Sequence, residues 1–155
     1  MDEVAPGAVG SLPSLSLRLG QAAFSTAALL FMSVGVEFYS YTSFCFLVTS
    51  MGLLIPWSCF LAVVDVYSLF LGCPLRLPGA IILIVAGDWV LSLLALGAAC
   101  STASVVTLLL PANGYCSPGV CGRYQLSAAM AFLSWFLTAS SSLFNLWSLA
   151  SLRLL

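Results

Sequence analysis

An acid and a base that lie inside or beside long apolar runs are the first candidates for chemistry. Asp88 lies about nine residues into a predicted helix that begins at Gly79, so its carboxylate is expected about 13 Å deep in a membrane. A charge at that depth costs about 2.5 to 3.5 kcal/mol, so it must be paired, protonated or beside a polar cavity. Arg18 is the candidate partner, but it is expected near the membrane surface and must reach inward. Gln21, one turn deeper on the Arg18 face, could link the two.

A stripe of polar side chains near the C-terminus is the second candidate. Ser134, Thr138, Ser141 and Asn145 share one face of a predicted helix, in the same half of the membrane as Asp88. One interpretation is an ion or proton path, since acids inside membranes often mark one. The other is polar contact between helices, which we favour because a path normally needs polar groups at several depths.

The cysteines suggest redox or lipid chemistry at the membrane surfaces. Cys116 and Cys121 flank a Pro-Gly turn and could form a disulfide in an oxidising exterior, although spacing alone does not fix the geometry. Cys73 is a candidate for palmitoylation, because it lies beside a predicted membrane surface. The other cysteines are expected to be small buried apolar residues: Cys45, Cys59 and Cys100.

The residue types argue against catalysis. The chain has no histidine, which excludes a Cys/His or Ser/His nucleophile pair. Its acids are scattered, and neither a metal-spaced ligand cluster nor a Gly-rich phosphate loop occurs. We therefore predict a protein that is not an enzyme and that uses no cofactor and no metal. The net charge of −1 also argues against a nucleic-acid partner, because no basic patch is present to neutralise phosphates.

Helices in a lipid bilayer must position these side chains. Apolar residues make up 62% of the chain and charged residues 6%, with a mean hydropathy of +1.15, far from the balance of soluble proteins. The long charge-free intervals suit a hydrocarbon core that takes about 20 helical residues, and they are continuous rather than alternating, which disfavours a barrel. We predict an all-α, MARVEL-like integral membrane four-helix bundle, with helices near Leu17 to Val36, Thr42 to Val66, Gly79 to Thr102 and Tyr124 to Leu149.

The segments outside the helices set the expected orientation. We predict a membrane domain over residues 17–150, a short disordered tail over 1–16 and a second tail over 151–155, with both tails on one side. Three arginines are expected on the side of the tails, namely Arg18, Arg76 and Arg153, and one, Arg123, on the opposite side. The positive-inside rule therefore predicts that both termini are cytoplasmic.

Two further acids fall at predicted helix ends. Glu37 follows the first predicted helix and Asp65 closes the second. At such positions we expect solvated charges at the membrane boundary.

Small residues are concentrated where helices could touch. Such faces let backbones approach closely and replace the hydrophobic drive that lipid cannot supply. Packing inside one bundle is the favoured interpretation, and a face between copies is the alternative. The residues concerned are Gly20, Ala23 and Ala27, the stretch from Gly97 to Ser104, and Ser127, Ala128, Ala129 and Ala131.

Several stretches closely resemble the plant CASP-like family, named for the Casparian strip membrane-domain proteins. The resemblance covers roughly residues 17 to 150. An Arg in helix one and an Asp in helix three are that family's characteristic pair, and they correspond to Arg18 and Asp88. The stretches are LRLGQ from Leu17, TSFCFLVTSMGL from Thr42, DVY from Asp65, and AGDWV from Ala86 followed by AACSTASVV.

The resemblance implies a multi-pass plasma-membrane protein with cytoplasmic termini that associates with itself and with related CASP-like proteins. The family's founding members scaffold a membrane domain and recruit wall-modifying machinery. This chain differs from them in its first outer turn, which is only EFYSYT from Glu37 and lacks a longer signature loop. The leading hypothesis is a non-enzymatic scaffold that forms homo- and hetero-oligomers in the bilayer. The alternative is a small channel or transporter built around Asp88.

Overall fold

A computed structural model describes residues 10–34, 40–71, 78–109 and 118–154 of the chain. These ranges contain four helices: α1 (Leu12–Ser33), α2 (Thr42–Leu71), α3 (Pro78–Leu109) and α4 (Pro118–Leu154). No strand occurs within the described ranges. Each helix is long and apolar enough to cross a membrane. The predicted all-α fold with four membrane-spanning helices is therefore confirmed.

The start of α1 differs from the prediction. The helix begins at Leu12 rather than Leu17, so the predicted disordered tail is wrong for residues 12–16. The physical reason is a local start signal. Ser11 has an extended backbone, and its hydroxyl accepts a hydrogen bond from the Ser14 N–H at 3.3 Å, as an N-cap does. Pro13 follows in the first turn, where no backbone N–H is required. Residues 1–9 lie outside the described ranges.

The other helices are also longer than predicted, because the prediction counted only the residues needed to cross the hydrocarbon core. A helix satisfies its own backbone and can continue into the interfacial region. Pro118 opens α4 at no cost, since the first turn leaves its N–H groups unpaired anyway. The observed ends are Leu71 instead of Val66, Leu109 instead of Thr102, and Leu154 instead of Leu149. Residues 151–154, predicted as a tail, are helical.

The helices form a ring in which each packs mainly against two neighbours. α1 packs against α2 and α4, and α3 packs against the same two helices, with α2 and α3 forming the smallest of these contacts. The connecting residues 35–39, 72–77 and 110–117 lie outside the described ranges. The predicted boundary charge Glu37 lies among them.

The bundle has two halves with different interiors. We call the half that contains the start of α1 and the end of α4 the terminal half (residues 12–25, 56–71, 78–92 and 134–154) and the other the distal half (26–33, 42–55, 93–109 and 118–133). The distal interior is mainly apolar, although Ser50, Thr102 and Ser127 are also buried there. Phe44 and Tyr124 meet in it with ring centroids 4.8 Å apart. Its buried core consists of Ala28, Met32, Phe44, Leu47, Met51, Leu54, Ala95, Ala98, Ala99, Val106, Tyr124 and Ala131.

The terminal half reverses this pattern. Large apolar side chains lie on its outside, where Phe70 is 87% exposed and Trp147 is 73% exposed, as expected of surfaces that face lipid. Polar and charged side chains lie inside. The buried ones include Ser14, Arg18, Gln21, Ser25, Ser58, Asp65, Asp88, Ser134, Thr138, Ser141 and Asn145. The candidate functional site is therefore the interior of this half.

Candidate functional site

Arg18 and Asp88 form a bidentate ion pair at the centre of the terminal half. Arg18 Nη1 donates to Asp88 Oδ1 at 2.7 Å, and Nη2 donates to Oδ2 at 2.6 Å. The two side chains are 1% and 0% exposed. Parallel N–H donation of this kind is the strong geometry for an arginine and a carboxylate, since each oxygen receives its own charge-assisted bond.

The early start of α1 explains why the two groups can meet. Arg18 lies six residues after Leu12, or about 9 Å along α1, and Asp88 lies ten residues after Pro78, or about 15 Å along α3. A helix starting at Leu17 would have left Arg18 at the surface. With the observed starts, both side chains lie well inside the bundle, and a direct bridge needs no long reach.

Asp88 also accepts hydrogen bonds from the other two helices. Trp57 Nε1 in α2 donates to Oδ1 at 2.9 Å, and Asn145 Nδ2 in α4 donates to Oδ2 at 3.5 Å. One carboxylate on α3 therefore connects α1, α2 and α4. Four donors occupy its two oxygens, which matches the acceptor capacity of an ionised carboxylate.

Gly87 creates the space in which Trp57 reaches Asp88. A Cβ atom at Gly87 would overlap the Cζ2 and Cη2 atoms of the Trp57 ring. The indole therefore lies directly on the α3 backbone, one residue before the acid that it binds. Gly87 directly precedes Asp88 in the sequence, but Trp57 was not predicted as a site residue.

Gln21 is a second junction, although it does not bind Asp88 directly. Its Oε1 accepts from Ser58 Oγ at 3.1 Å and from Arg18 Nη1 at 3.4 Å, and its Nε2 donates to the Leu137 carbonyl at 3.1 Å. Gln21 thus binds the guanidinium of Arg18 and connects α1 with α2 and α4.

The predicted stripe on α4 divides into residues with different partners. Ser134 Oγ shares a 2.6 Å hydrogen bond with Ser25 and lies 3.4 Å from the Gln21 carbonyl. Thr138 donates to the Ser134 carbonyl of its own helix at 2.8 Å. Ser141 is buried on the same side, and Asn145 reaches Asp88. The stripe therefore lies against the ion pair and α1.

Asp65 is a second buried acid, and the prediction of a solvated boundary charge is wrong. It is 1% exposed, because α2 continues to Leu71 and α1 covers it from Leu12. Gly10 N–H donates to Oδ1 at 2.8 Å, and Ser14 Oγ donates to Oδ2 at 2.8 Å. A correct end for α2 would have placed Asp65 on the face of Ser58, seven residues earlier and two helical turns away.

The chemistry of the cluster is that of polar groups that bind one another. Within the described residues, no group of three or more His, Cys, Asp or Glu side chains is placed to hold a metal ion. Two buried polar atoms in the described ranges, Arg18 Nε and Asn145 Oδ1, have no hydrogen-bond partner. The described hydrogen bonds of Asp88 all join different helices, and those of Gln21 do so except for its contact with Arg18.

The cysteines fall in different surroundings from those expected. Cys121 is buried and takes part in a disulfide bond, while Cys116 lies outside the described residues, so a bridge between these two stays a prediction. Cys73, the predicted palmitoylation site, also lies outside them. Cys59 and Cys100 are exposed on the bundle surface. Their prediction as buried residues is wrong, because both lie on helix faces turned away from the neighbouring helices.

Comparison with known proteins places these features in a family. Residues 7–137 match the model of the Casparian strip membrane protein domain. The chain is 70% identical over 146 residues to CASP-like protein 5C1 of Oryza sativa subsp. japonica, covering 94% of each chain. It is 54% identical over 147 residues to CASP-like protein 5C3 of Arabidopsis thaliana, covering 95% of this chain and 97% of the relative. No solved structure gives a significant match.

Proposed function

The chain belongs to the Casparian strip membrane protein domain family, and from this premise we propose that it is a non-enzymatic scaffold that associates with itself and with related proteins. It is a membrane protein with four spans. The names of the relatives are not those of enzymes. We further propose the plasma membrane as its location, with both termini in the cytoplasm.

The main support for the proposal is that the Asp88 carboxylate binds side chains from the three other helices. It accepts four described hydrogen bonds, two from the Arg18 guanidinium, one from Trp57 and one from Asn145. An acid that carried an ion or proton would need acceptor positions open to that species. Asp88 instead uses its oxygens to tie three helices to its own, which favours a rigid structural role.

The interior of the distal half supports the same proposal over the channel alternative. Toward the distal half the buried polar contacts become sparse: Ser127 Oγ donates to the Ala28 carbonyl at 2.6 Å, and Thr102 Oγ1 donates to the Ser43 carbonyl at 3.4 Å. Met32, Phe44 and Tyr124 belong to the buried apolar cluster that fills this half. A conducting path would have to cross this apolar layer.

Association would use the outside of the bundle. Within the small-residue stretch, Ala98, Ala99 and Thr102 are buried, whereas Cys100 and Ser104 are exposed. Small side chains on a lipid-facing surface allow another helix to approach closely. We therefore assign the contact between copies to the exposed face of α3 around Cys100.

Counting of labelled subunits in lipid vesicles tests this assignment. The full chain carries one fluorophore, and photobleaching steps are counted for wild type, Cys100→Leu and the matched control Cys59→Leu, which alters an exposed cysteine on α2. We expect multi-step bleaching for wild type and Cys59→Leu, and a shift toward single steps for Cys100→Leu. Wild-type protein that bleaches only in single steps at high membrane density contradicts the scaffold proposal.

Ion and proton flux in the same vesicles tests the alternative function. We expect no flux above that of empty vesicles. A wild type that conducts, together with an Asp88→Asn variant that is folded but silent, would identify Asp88 as part of a path. Accessibility labelling of tags at each end in intact cells tests the orientation, and an externally labelled uncleaved end would refute it.

A further inference from the structure

The two buried acids of the terminal half are bound in different ways. Asp88 pairs with a guanidinium, whereas the described hydrogen bonds of Asp65 come from two neutral donors, the Gly10 N–H and the Ser14 hydroxyl. Among the described residues, Arg18 and Asp88 are the charged groups whose fields reach Asp65. Its bonds therefore fix the beginning of α1 and the residue before its cap, rather than the middle of a helix.

The backbone at Gly10 is shaped for this contact. Its φ angle is +87°, in the left-handed region that side chains larger than hydrogen avoid. A Cβ atom at Gly10 would also lie 3.0 Å from Ser68 Cβ. Gly10 is therefore seated on α2 one turn after Asp65, and both its conformation and its position favour glycine.

Ser14 gives the contact a second point of attachment. Its hydroxyl binds Asp65 Oδ2, and its backbone N–H binds the Ser11 hydroxyl that caps α1. The carboxylate thus holds both sides of the helix start, and Leu15 N–H closes the first turn on the Ser11 carbonyl at 3.1 Å. An ionised carboxylate accepts both bonds, whereas a side chain without polar atoms at this position, such as alanine, can accept neither.

We propose that the Asp65 carboxylate is a conformational latch that holds Gly10 and the first turn of α1 against α2. The latch fixes the start of α1 and the residue before its cap on α2. Opening it frees residues 10–15 while the tie between Arg18 and Asp88 remains closed. The proposal concerns the shape of one molecule and does not depend on whether copies associate.

Amide hydrogen exchange of the full chain in lipid nanodiscs tests the latch, with Gly10 and Leu15 as reporters of the start of α1. The Trp57 indole N–H, which binds Asp88, reports separately on the central ion pair. We expect Asp65→Ala, which removes both acceptor oxygens, to accelerate exchange at Gly10 by about ten- to a hundred-fold, as hydrogen bonds to a charged group imply. The Trp57 signal should stay unchanged.

Two further variants make the test specific. Ser14→Ala removes one of the two bonds and should accelerate exchange less than Asp65→Ala. Ser68→Ala is the matched control, because Ser68 touches the Gly10 position but lies outside the described hydrogen bonds of Asp65, and it should leave exchange unchanged. Unchanged exchange at Gly10 in Asp65→Ala overturns the latch. Loss of the Trp57 signal in that variant also overturns it, because Asp65 would then support the whole bundle.

Discussion

The distal and terminal halves of the bundle are built from the same four helices but are held together by different interactions. In the distal half, apolar side chains such as Phe44 and Met51 are completely buried. In the terminal half, Arg18, Gln21 and Asp88 are equally buried but connect the helices by hydrogen bonds. The outer surfaces of both halves are apolar.

In a bilayer the two kinds of interaction respond differently to substitution. Moving an apolar side chain from lipid into a bundle gains packing contacts but no hydrophobic free energy, because lipid tails are equally apolar. A buried ion pair, by contrast, has no water to replace a missing partner. The terminal half should therefore be the more sensitive to a single substitution, and the distal half the more tolerant.

The substitution Asp88→Asn should give the largest effect. It leaves the Arg18 charge buried and without its counter-charge, so we expect the free energy of unfolding to fall by about 3 to 5 kcal/mol. Reversible unfolding in mixed micelles measures this loss.

The double variant Arg18→Gln with Asp88→Asn is the control for the charge itself. Removing both charges should recover part of the stability, since the remaining amides can still bond Gln21 and Trp57. A double variant that is no more stable than Asp88→Asn alone would show that the cost comes from lost shape rather than from an unpaired charge.

In the distal half, Phe44→Ala should cost less. The cavity removes the contact with Tyr124, and we expect about 2 to 3 kcal/mol, below the usual cost in soluble cores because the transfer contribution is absent. Thermal unfolding of Phe44→Ala is compared with that of Phe60→Ala, a lipid-facing control that is 62% exposed. A loss larger than that of Asp88→Asn would reverse the proposed order of the two halves.

Gly87→Ala examines the close contact of α2 with α3. The added methyl group must displace the Trp57 ring, so we expect a loss of about 1 to 2 kcal/mol and a changed Trp57 indole signal. Gly97→Ala on the same helix is the matched control, because its Cβ would lie 3.7 Å from the Phe46 ring, an ordinary contact. If both variants lose the same free energy of unfolding, the close contact of Trp57 with Gly87 does not contribute to stability.

The smallest expected effect is that of Ser25→Ala. It removes the hydrogen bond with Ser134, and one interhelical hydrogen bond in a membrane contributes about 0.6 kcal/mol. Thr26→Ala is the control next to it, since Thr26 is exposed and binds the Ala22 carbonyl of its own helix. If the two variants unfold with the same free energy, the hydrogen bond between Ser25 and Ser134 does not stabilise the terminal half, and its stability comes from the charged residues.

The sequence allowed the four spans and the central residues to be predicted for a simple physical reason. Charges are so costly in lipid that Arg18 and Asp88 were conspicuous in an apolar chain, and hydrophobic length marked each helix. Trp57 could not be distinguished in this way, because an aromatic residue in an apolar run suits lipid equally well. Its role depends on the empty space at Gly87, which is a property of two helices in contact.

The error at Asp65 has a different origin. Its identity was plain, but its surroundings depend on where two helices end, and those ends are set by capping and interfacial packing rather than by hydropathy. Ser11 and Pro13 carry the start signal of α1 in the sequence. Reading that signal would have moved the start to Leu12 and brought Ser14 within reach of α2.

The ion pair also has a consequence for the order of synthesis. Arg18 and Asp88 are 70 residues apart in the chain, so at roughly 5 to 20 residues per second the ribosome needs about 4 to 14 seconds to produce the acid after the base. During that interval Arg18 lacks its bidentate partner, and α1 has a mean hydropathy of 1.3, well below the 2.2 of α3. We therefore expect the first helix to reach its final position only after the third has been made.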